Sequence, residues 1–371
     1  MKIFYALFAF CCVLTQLSAL DVEKNNLLCV LYDAGDTGIM VPVLERLDKE
    51  GIDFHVLVMA TAETIVKPGM FGKKRITLKD LGIGTVVDTT TARTMGLASS
   101  EMKKVNKLNP SVVLVGTASK IQQQVLKEYS DRVTVAFVDN FSYDPCQEAF
   151  ATVEDVVSVA KNVLYPSDQT RMLFEKVAKG ASYIVGKPSL EKWQQDIEAV
   201  DQQEVLQHLG FNEEQPIVTL IGGYGPGYEV IDPLFDSFVD FFRKEGFQVI
   251  RQHHPKVAPN KVKVTEALAV SQYAVGYNSS VVLDAAILGK KSLFFIPDDP
   301  RTSFRHLAIA KGFIPKVTTY DELVKYIRSE GVCLDVRKAL NLPEHSTERV
   351  VNLLEMWIAM TNCTTDVVVY E

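Results

Sequence analysis

The sequence predicts an α/β protein built from two tandem Rossmann-like domains facing a cleft. Three observations carry that expectation. Short apolar runs such as Leu27–Tyr32 (LLCVLY) and Val112–Val115 (VVLV) alternate with longer amphipathic stretches. Unbroken apolar strands joined by helices are the pattern of a parallel sheet covered on both faces. The alternation comes in two series, separated by a polar, helical connection around residues 190–212. The chain has 371 residues, 47% of them apolar and 23% charged, enough for about two domains of ordinary size. That composition excludes a disordered chain, a collagen-like repeat and a small disulfide-stapled module.

The chain opens with Lys2, an apolar stretch from Ile3 to Leu14, polar Thr15 and Gln16, and small Ser18 and Ala19. This is the order of a secretory signal peptide, with cleavage expected after Ala19. The mature protein is therefore expected to be exported: periplasmic, secreted or in the lumen of the secretory pathway. No later segment approaches the roughly 20 apolar residues of a membrane span.

The first domain is expected over 20–190. Its strands are read at Leu27–Tyr32, Phe54–Met59, Val86–Asp88, Val112–Val115 and Val133–Val138, with a helix at Val41–Glu50. The second is expected over 191–346, with strands at Pro216–Ile221, Phe247–Ile250, Tyr273–Val275 and Ser292–Ile296. Its helices are read at Asp232–Lys244, Ser280–Leu288 and Tyr320–Ser329. Residues 347–371 hold a last helix, Glu348–Met360, and a tail.

With 39 basic and 46 acidic residues the formal charge is −7, so nucleic acid is not an expected partner. Beyond the leader, Cys29, Cys146, Cys333 and Cys363 are too dispersed for a zinc site, and no Cys-x-x-Cys occurs. An oxidising compartment leaves three pairings open, with Cys333 and Cys363 the first to test; Cys29, inside a strand-like run, reads as buried and free. Asn140, Asn278 and Asn362 each begin an Asn-x-Ser/Thr sequon.

Four motifs carry chemistry. Asp33-Ala-Gly-Asp-Thr-Gly38 joins the first strand to the first helix. Glycines there permit close backbone approach at a helix N-terminus. Asp33 and Asp36 sit where ligands bind in such sheets and are candidate general bases, with helix capping as the competing part for Asp36. Gly222-Gly223-Tyr224-Gly225-Pro226-Gly227 follows the first strand of the second domain and reads as a ligand loop or a plain turn. His253 and His254, before Pro255, close the next strand as phosphate donors or acid–base groups. Ser279 and Ser280 open a helix and form an anion site with its free N–H groups, and Asp284, one turn in, is placed to reach a ribose or sugar hydroxyl. The chain has neither Gly-x-Gly-x-x-Gly nor Gly-Lys-Ser/Thr, so no cofactor is expected and an NTPase is disfavoured. No Gly-x-Ser-x-Gly elbow is present.

In this order the motifs resemble the nucleotide-binding half of GT-B glycosyltransferases. The stretch AVSQYAVGYNSSVVLDAAILGKKSLFFIPDD (269–299) is similar to their strand, small-residue loop, acidic helix and Leu-Gly-Lys-Pro. Residues 163–193, with Pro-Ser and Gly-x-Pro, are similar to their interdomain stretch. His254-Pro255 and Ser279-Ser280 resemble the His-Pro and Ser-Ser motifs of bacterial sialyl- and polymer transferases. Residues 278–305 also resemble the non-hydrolysing UDP-N-acetylglucosamine 2-epimerases, although 298–305 lacks their Glu. The resemblance implies a last helix that crosses back to the first domain. It also implies a metal-independent transferase with a nucleotide-sugar donor of UDP or CMP type and a carbohydrate or lipid acceptor. Ser279, Ser280 and His254 would hold the phosphates, and Asp33 or Asp36 would deprotonate the acceptor. A secreted two-domain binding protein with a degenerate site, or an epimerase-like enzyme, are the alternatives.

Overall fold

The structure is a computed structural model that describes residues 27–86, 93–141, 143, 148–254, 257–302, 306–329 and 334–365. The expected leader, Cys146, Pro255 and Cys333 lie outside the described residues, as does the side chain of Cys363.

The first sheet has seven parallel strands in the order β3-β2-β1-β4-β5-β6-β7. They are β1 (Leu27–Leu31), β2 (Phe54–Val58), β3 (Arg75–Thr77), β4 (Val112–Val115), β5 (Val133–Phe137), β6 (Asn162–Tyr165) and β7 (Ala181–Ile184). The second sheet has five parallel strands in the order β12-β11-β10-β8-β9. These are β8 (Ile217–Ile221), β9 (Gln248–Gln252), β10 (Tyr273–Gly276), β11 (Lys291–Phe295) and β12 (Lys316–Val317). The chain is thus two Rossmann-like domains. Every residue of β1, β4 and β8 is buried, because helices cover both faces of each sheet.

The helices that shape the interdomain region are α1 (Ala34–Lys49), α2 (Lys120–Glu128), α3 (Pro188–Glu198), α4 (Tyr228–Lys244), α5 (Ser280–Ile287) and α6 (Ser346–Thr365). Helix α1 starts at Ala34, seven residues before the expected Val41, and carries Pro42 inside it. Its start is set by Asp33, whose carboxylate accepts from Gly35 N–H (2.9 Å) and Asp36 N–H (3.2 Å), while Asp36 accepts back from Asp33 N–H. This capping box satisfies donors that a helix leaves open.

Helix α6 returns to the first domain, as the resemblance implied. Val350, Leu354, Trp357 and Ile358 are buried in the same core as Leu27, Cys29 and Leu114. Trp357 meets Tyr183 edge-on at 5.6 Å. Glu191 of α3 accepts from the Ser346 and Thr347 N–H groups and so caps α6. Gly186 is needed where it stands: its φ is +84°, and a Cβ would meet Ser346 Oγ at 2.1 Å. The expected strand at Val86–Asp88 is corrected as far as it is described, since Val86 is outside any strand. The edge beyond β2 is Arg75–Thr77, a short polar segment of the kind that blunts sheet edges.

Candidate functional site

Strand order locates the sites. In the first sheet the chain runs outward through β2 and β3, then returns to the other side of β1 with β4. In the second it runs from β8 to β9, then returns on the other side of β8 with β10. Ligands in open parallel sheets bind beyond the strands' carboxyl ends at such reversals. The segments there are the α1 start at Asp33–Gly38 and the Gly116–Ser119 loop in one domain, the Gly222–Gly227 loop and the α5 start at Asn278–Ser280 in the other.

In the first domain Asp36 is 1% exposed. Its Oδ2 accepts from Gln122 Nε2 at 2.7 Å and Tyr32 N–H at 3.0 Å, and its Oδ1 from Asp33 N–H at 3.0 Å. Burial, then the charge of Asp33, pushes its carboxyl well above the usual carboxylate range. Both oxygens face protein donors, so Asp36 holds the turn and is out of reach of an acceptor. That corrects its reading as a general base. Asp33 also has both oxygens engaged, Oδ1 by the Gly35 and Asp36 N–H groups and Oδ2 by Arg93 Nη2 at 2.9 Å, but it stays half-buried where Asp36 is fully buried.

A third carboxylate joins this group. Asp139, two residues past β5, accepts from the Tyr143 hydroxyl at 2.5 Å. Burial and the charge of Asp33 raise its pKa, against the pull of Tyr143 and Lys187. Burial and the Asp139 charge also hold the Tyr143 phenol well above its ordinary value. A carboxyl and a phenol so arranged can hold or move a proton.

In the second domain β9, β8 and β10 are neighbours, so His253 and His254, the glycine loop and Ser279–Ser280 share one carboxyl edge. The His253 backbone is pinned by Asn260, whose side chain accepts from His253 N–H (2.6 Å) and donates to its carbonyl (2.9 Å). The His254 ring lies 5.7 Å from the ring of Tyr224, which is 60% exposed. Ser279 is the N-cap of α5, yet its hydroxyl makes no capping bond to the helix. That hydroxyl and the α5 N-terminus lie together just past the carboxyl end of β10, an end at which helix geometry favours negative charge.

The glycines owe their places mostly to their own domain. A Cβ at Gly222 would meet Arg251 Nη1 at 2.8 Å, and one at Gly223 would meet the Tyr228 ring at 1.9 Å. Gly225 has open space around it but a φ of +108°. Asp284 is 4% exposed, and both its oxygens accept from Lys187 Nζ, at 2.8 and 2.7 Å. The expected reach to a ribose hydroxyl is therefore taken up by a lysine.

The two carboxyl edges meet. Phe141, four residues past β5, packs in the core of the second domain, and Lys187 joins the end of β7 to α5.

No protein-family model and no curated protein sequence matches the chain. Solved structures do. The UDP-GlcNAc 2-epimerase from Methanocaldococcus jannaschii superposes with a TM-score of 0.62 at 14% identity, covering 89% of this chain and 99% of that one. The Neisseria meningitidis UDP-GlcNAc 2-epimerase bound to UDP-GlcNAc gives 0.57 at 14%, covering 91% and 100%. The wall teichoic acid polymerase TagF gives 0.56 at 11%, covering 91% and 90%. The fold is GT-B-like. At such identities the likeness is one of fold.

The GT-B-like frame draws attention to residues that the motifs did not single out. Asp139 carried a readable signal, a carboxylate directly after the apolar run VTVAFV. Lys187 is the middle residue of the Gly-x-Pro stretch, but nothing local marked its partner 97 positions away; Arg93 carried no sign, its partner being 60 positions away.

Proposed function

We propose that the protein is exported and binds a nucleotide-sugar of UDP type between its domains, acting as a metal-independent glycosyltransferase. The observation that carries this reading is the convergence of three loops, after β8, β9 and β10, on the N-terminus of α5. Phosphate charge grows as a nucleotide departs, and positive helix ends and fixed donors stabilise it. Ser279, Ser280 and His254 supply those donors, a task that a divalent ion performs elsewhere. Across the cleft Asp33 takes the proton of the acceptor hydroxyl. The epimerase neighbours, two of them with UDP-GlcNAc bound, support a UDP-sugar as ligand, and the leader-like pattern at 1–19 supports export.

A second reading has a specific observation in its favour. The Asp139–Tyr143 pair suits proton movement at a sugar carbon, which an epimerase-like reaction on UDP-N-acetylglucosamine needs. A binding protein with a degenerate site is the third.

The test uses the chain from Leu20. Thermal shifts are read with UDP, CMP, GDP, their common sugar conjugates and plain phosphate. A ligand at 100 times its dissociation constant adds about 2.7 kcal/mol, a shift of several degrees or less at this size. The UDP shift should vanish in His254→Ala and Ser280→Ala. Incubation with UDP-N-acetylglucosamine then separates the readings by NMR. UDP release that needs an acceptor and survives a chelator marks the transferase. Solvent deuterium entering the sugar marks the epimerase, and binding without turnover marks the binding protein. No shift with any nucleotide sinks all nucleotide readings. For export, the N-terminus of the protein recovered outside the cytoplasm should begin at Leu20.

A further inference from the structure

Lys187 stands between β7 and α3, where the chain leaves the first sheet. Its side chain is 6% exposed and its ammonium is held by both oxygens of Asp284, at 2.8 and 2.7 Å. Asp284 lies one turn into α5, the helix that begins with Ser280. The same ammonium lies 5.4 Å from the ring centroid of Phe141, which follows β5 and packs into the second-domain core. One buried cation thus touches parts of both domains. Burying an ammonium is costly unless it is paired, and an ionic pair inside a protein is better suited to fixing geometry than to adding stability.

We propose that Lys187 is a positioning residue for the nucleotide site: paired with Asp284, it sets the start of α5, with Ser279 and Ser280, against the first-domain carboxylates. Asp284 then acts through Lys187 and makes no direct contact with the ligand's ribose. The charge of Lys187 also favours the ionised form of Asp139, so the same ammonium bears on the acid–base side of the cleft. The ligand part of this proposal rests on the nucleotide reading above; the pairing part does not.

The test is a double-mutant cycle on Lys187→Met, Asp284→Leu and the double variant, with Lys187→Arg as the conservative replacement. Two quantities are read: UDP affinity by calorimetry and the melting temperature. Each single variant strands or removes a buried charge and should melt lower by on the order of 10 °C. Each should bind UDP roughly tenfold more weakly. The double variant, with both charges gone, should recover most of the melting temperature but not the affinity, because α5 is no longer pinned. Lys187→Arg should keep affinity within a few-fold of the parent. Direct ribose contact makes a different pattern, in which Asp284→Leu loses UDP while Lys187→Met keeps or gains it, and that result overturns the proposal. Full UDP affinity in the double variant overturns it too, as do melting effects that simply add. If the parent protein binds no UDP, the nucleotide reading has failed, and the melting cycle still decides whether the two residues act as a pair.

Discussion

Gly35 gives the sharpest test of the first-domain carboxylates. It is the second residue of α1 and faces Asp139. A Cβ there would stand 2.1 Å from Asp139 Oδ2, 3.3 Å from its Cγ and 3.4 Å from Asp33 Oδ1. Ordinary contact lies near 3.5 Å, so Gly35→Ala displaces the Asp139 carboxylate by more than about 1 Å. Tyr143 then loses its acceptor at 2.5 Å. A buried hydroxyl that loses its carboxylate acceptor costs about 1–3 kcal/mol, even with Thr117 as its remaining neighbour, while alanine's helix preference returns up to about 1 kcal/mol. The net loss of stability is about 1–2 kcal/mol. Turnover should suffer more, because a displacement of about 1 Å at reacting groups costs on the order of 10²-fold. Gly38 is the internal control. It lies in the same helix, and among the described residues nothing outside that helix's own backbone lies within 4 Å of its Cβ. Gly38→Ala should keep full turnover and gain up to about 1 kcal/mol. Initial rates with UDP-N-acetylglucosamine and urea unfolding of both variants decide it. If Gly35→Ala is as active as Gly38→Ala, Asp139 and Asp33 are not the working carboxylates.

Other perturbations test the frame. His306 is buried, its Nδ1 accepts from Ala308 N–H at 3.1 Å, and burial lowers its pKa to about 4. The unfolded chain binds that proton near pH 6.5 and the folded chain only near pH 4, so stability falls as pH drops through this window. About 2 kcal/mol should be lost between pH 7 and 5, and His306→Asn, which keeps a capping acceptor, should remove that loss in urea unfolding at the two pH values. The raised pKa of Asp36 acts in the opposite sense, favouring the folded state as pH falls, and cancels between the two proteins. Gly223→Ala drives a Cβ into the Tyr228 ring and should cost about 1–3 kcal/mol. That cost should shrink in a Tyr228→Leu background, by thermal melts. Trp357→Ala empties the seat of α6 and should cost about 3–5 kcal/mol, with earlier tryptic cleavage around residue 349 than in the parent.

Most central strands were legible in the sequence because a strand covered on both faces is nearly all apolar, the one polar residue of IVTLI, Thr219, being buried against Ser271 at 2.6 Å. LLCVL, VVLV and IVTLI say so directly. The edges were not. Strand β3 reads RIT, β7 reads ASYI and β12 is only Lys316–Val317. None has an apolar run to find, since an edge strand need bury less. Pro42 misplaced the start of α1, because proline favours a first turn, whereas here it sits in the third turn. The glycine loop was found for the wrong reason. Sequence shows that side chains are missing at 222, 223 and 227; only packing shows that Arg251, Tyr228 and Tyr277 occupy those spaces. Asp284 was legible as an acidic residue on the right helix, and its partner was invisible for want of any local sign.

The two reversals of strand order are built unlike each other, and this fixes which way a nucleotide-sugar would lie. At the β1/β4 reversal the crevice is filled. A Cβ on Gly116 would fall 2.3 Å from the Asp36 carboxylate, and Gln122 on α2 closes over it, donating to Asp36 and to the Val30 carbonyl. What stays open beside it is acidic: Asp33, Asp139 and the Tyr143 phenol. The first-domain cations nearest to it, Arg93 and Lys187, are already paired, at 2.9 and 2.7 Å. Phosphates placed there would meet carboxylates, with these two cations already committed to Asp33 and Asp284. At the β8/β10 reversal lie instead the α5 N-terminus and the Ser279 hydroxyl, which makes no capping bond, with His254 past the neighbouring strand. On the proposed nucleotide-sugar reading, electrostatics would favour the phosphates in the second domain and the sugar in the first, where a carboxylate can handle its protons. The polarity follows from strand order and side-chain charge within this chain, independently of what any neighbour in fold binds.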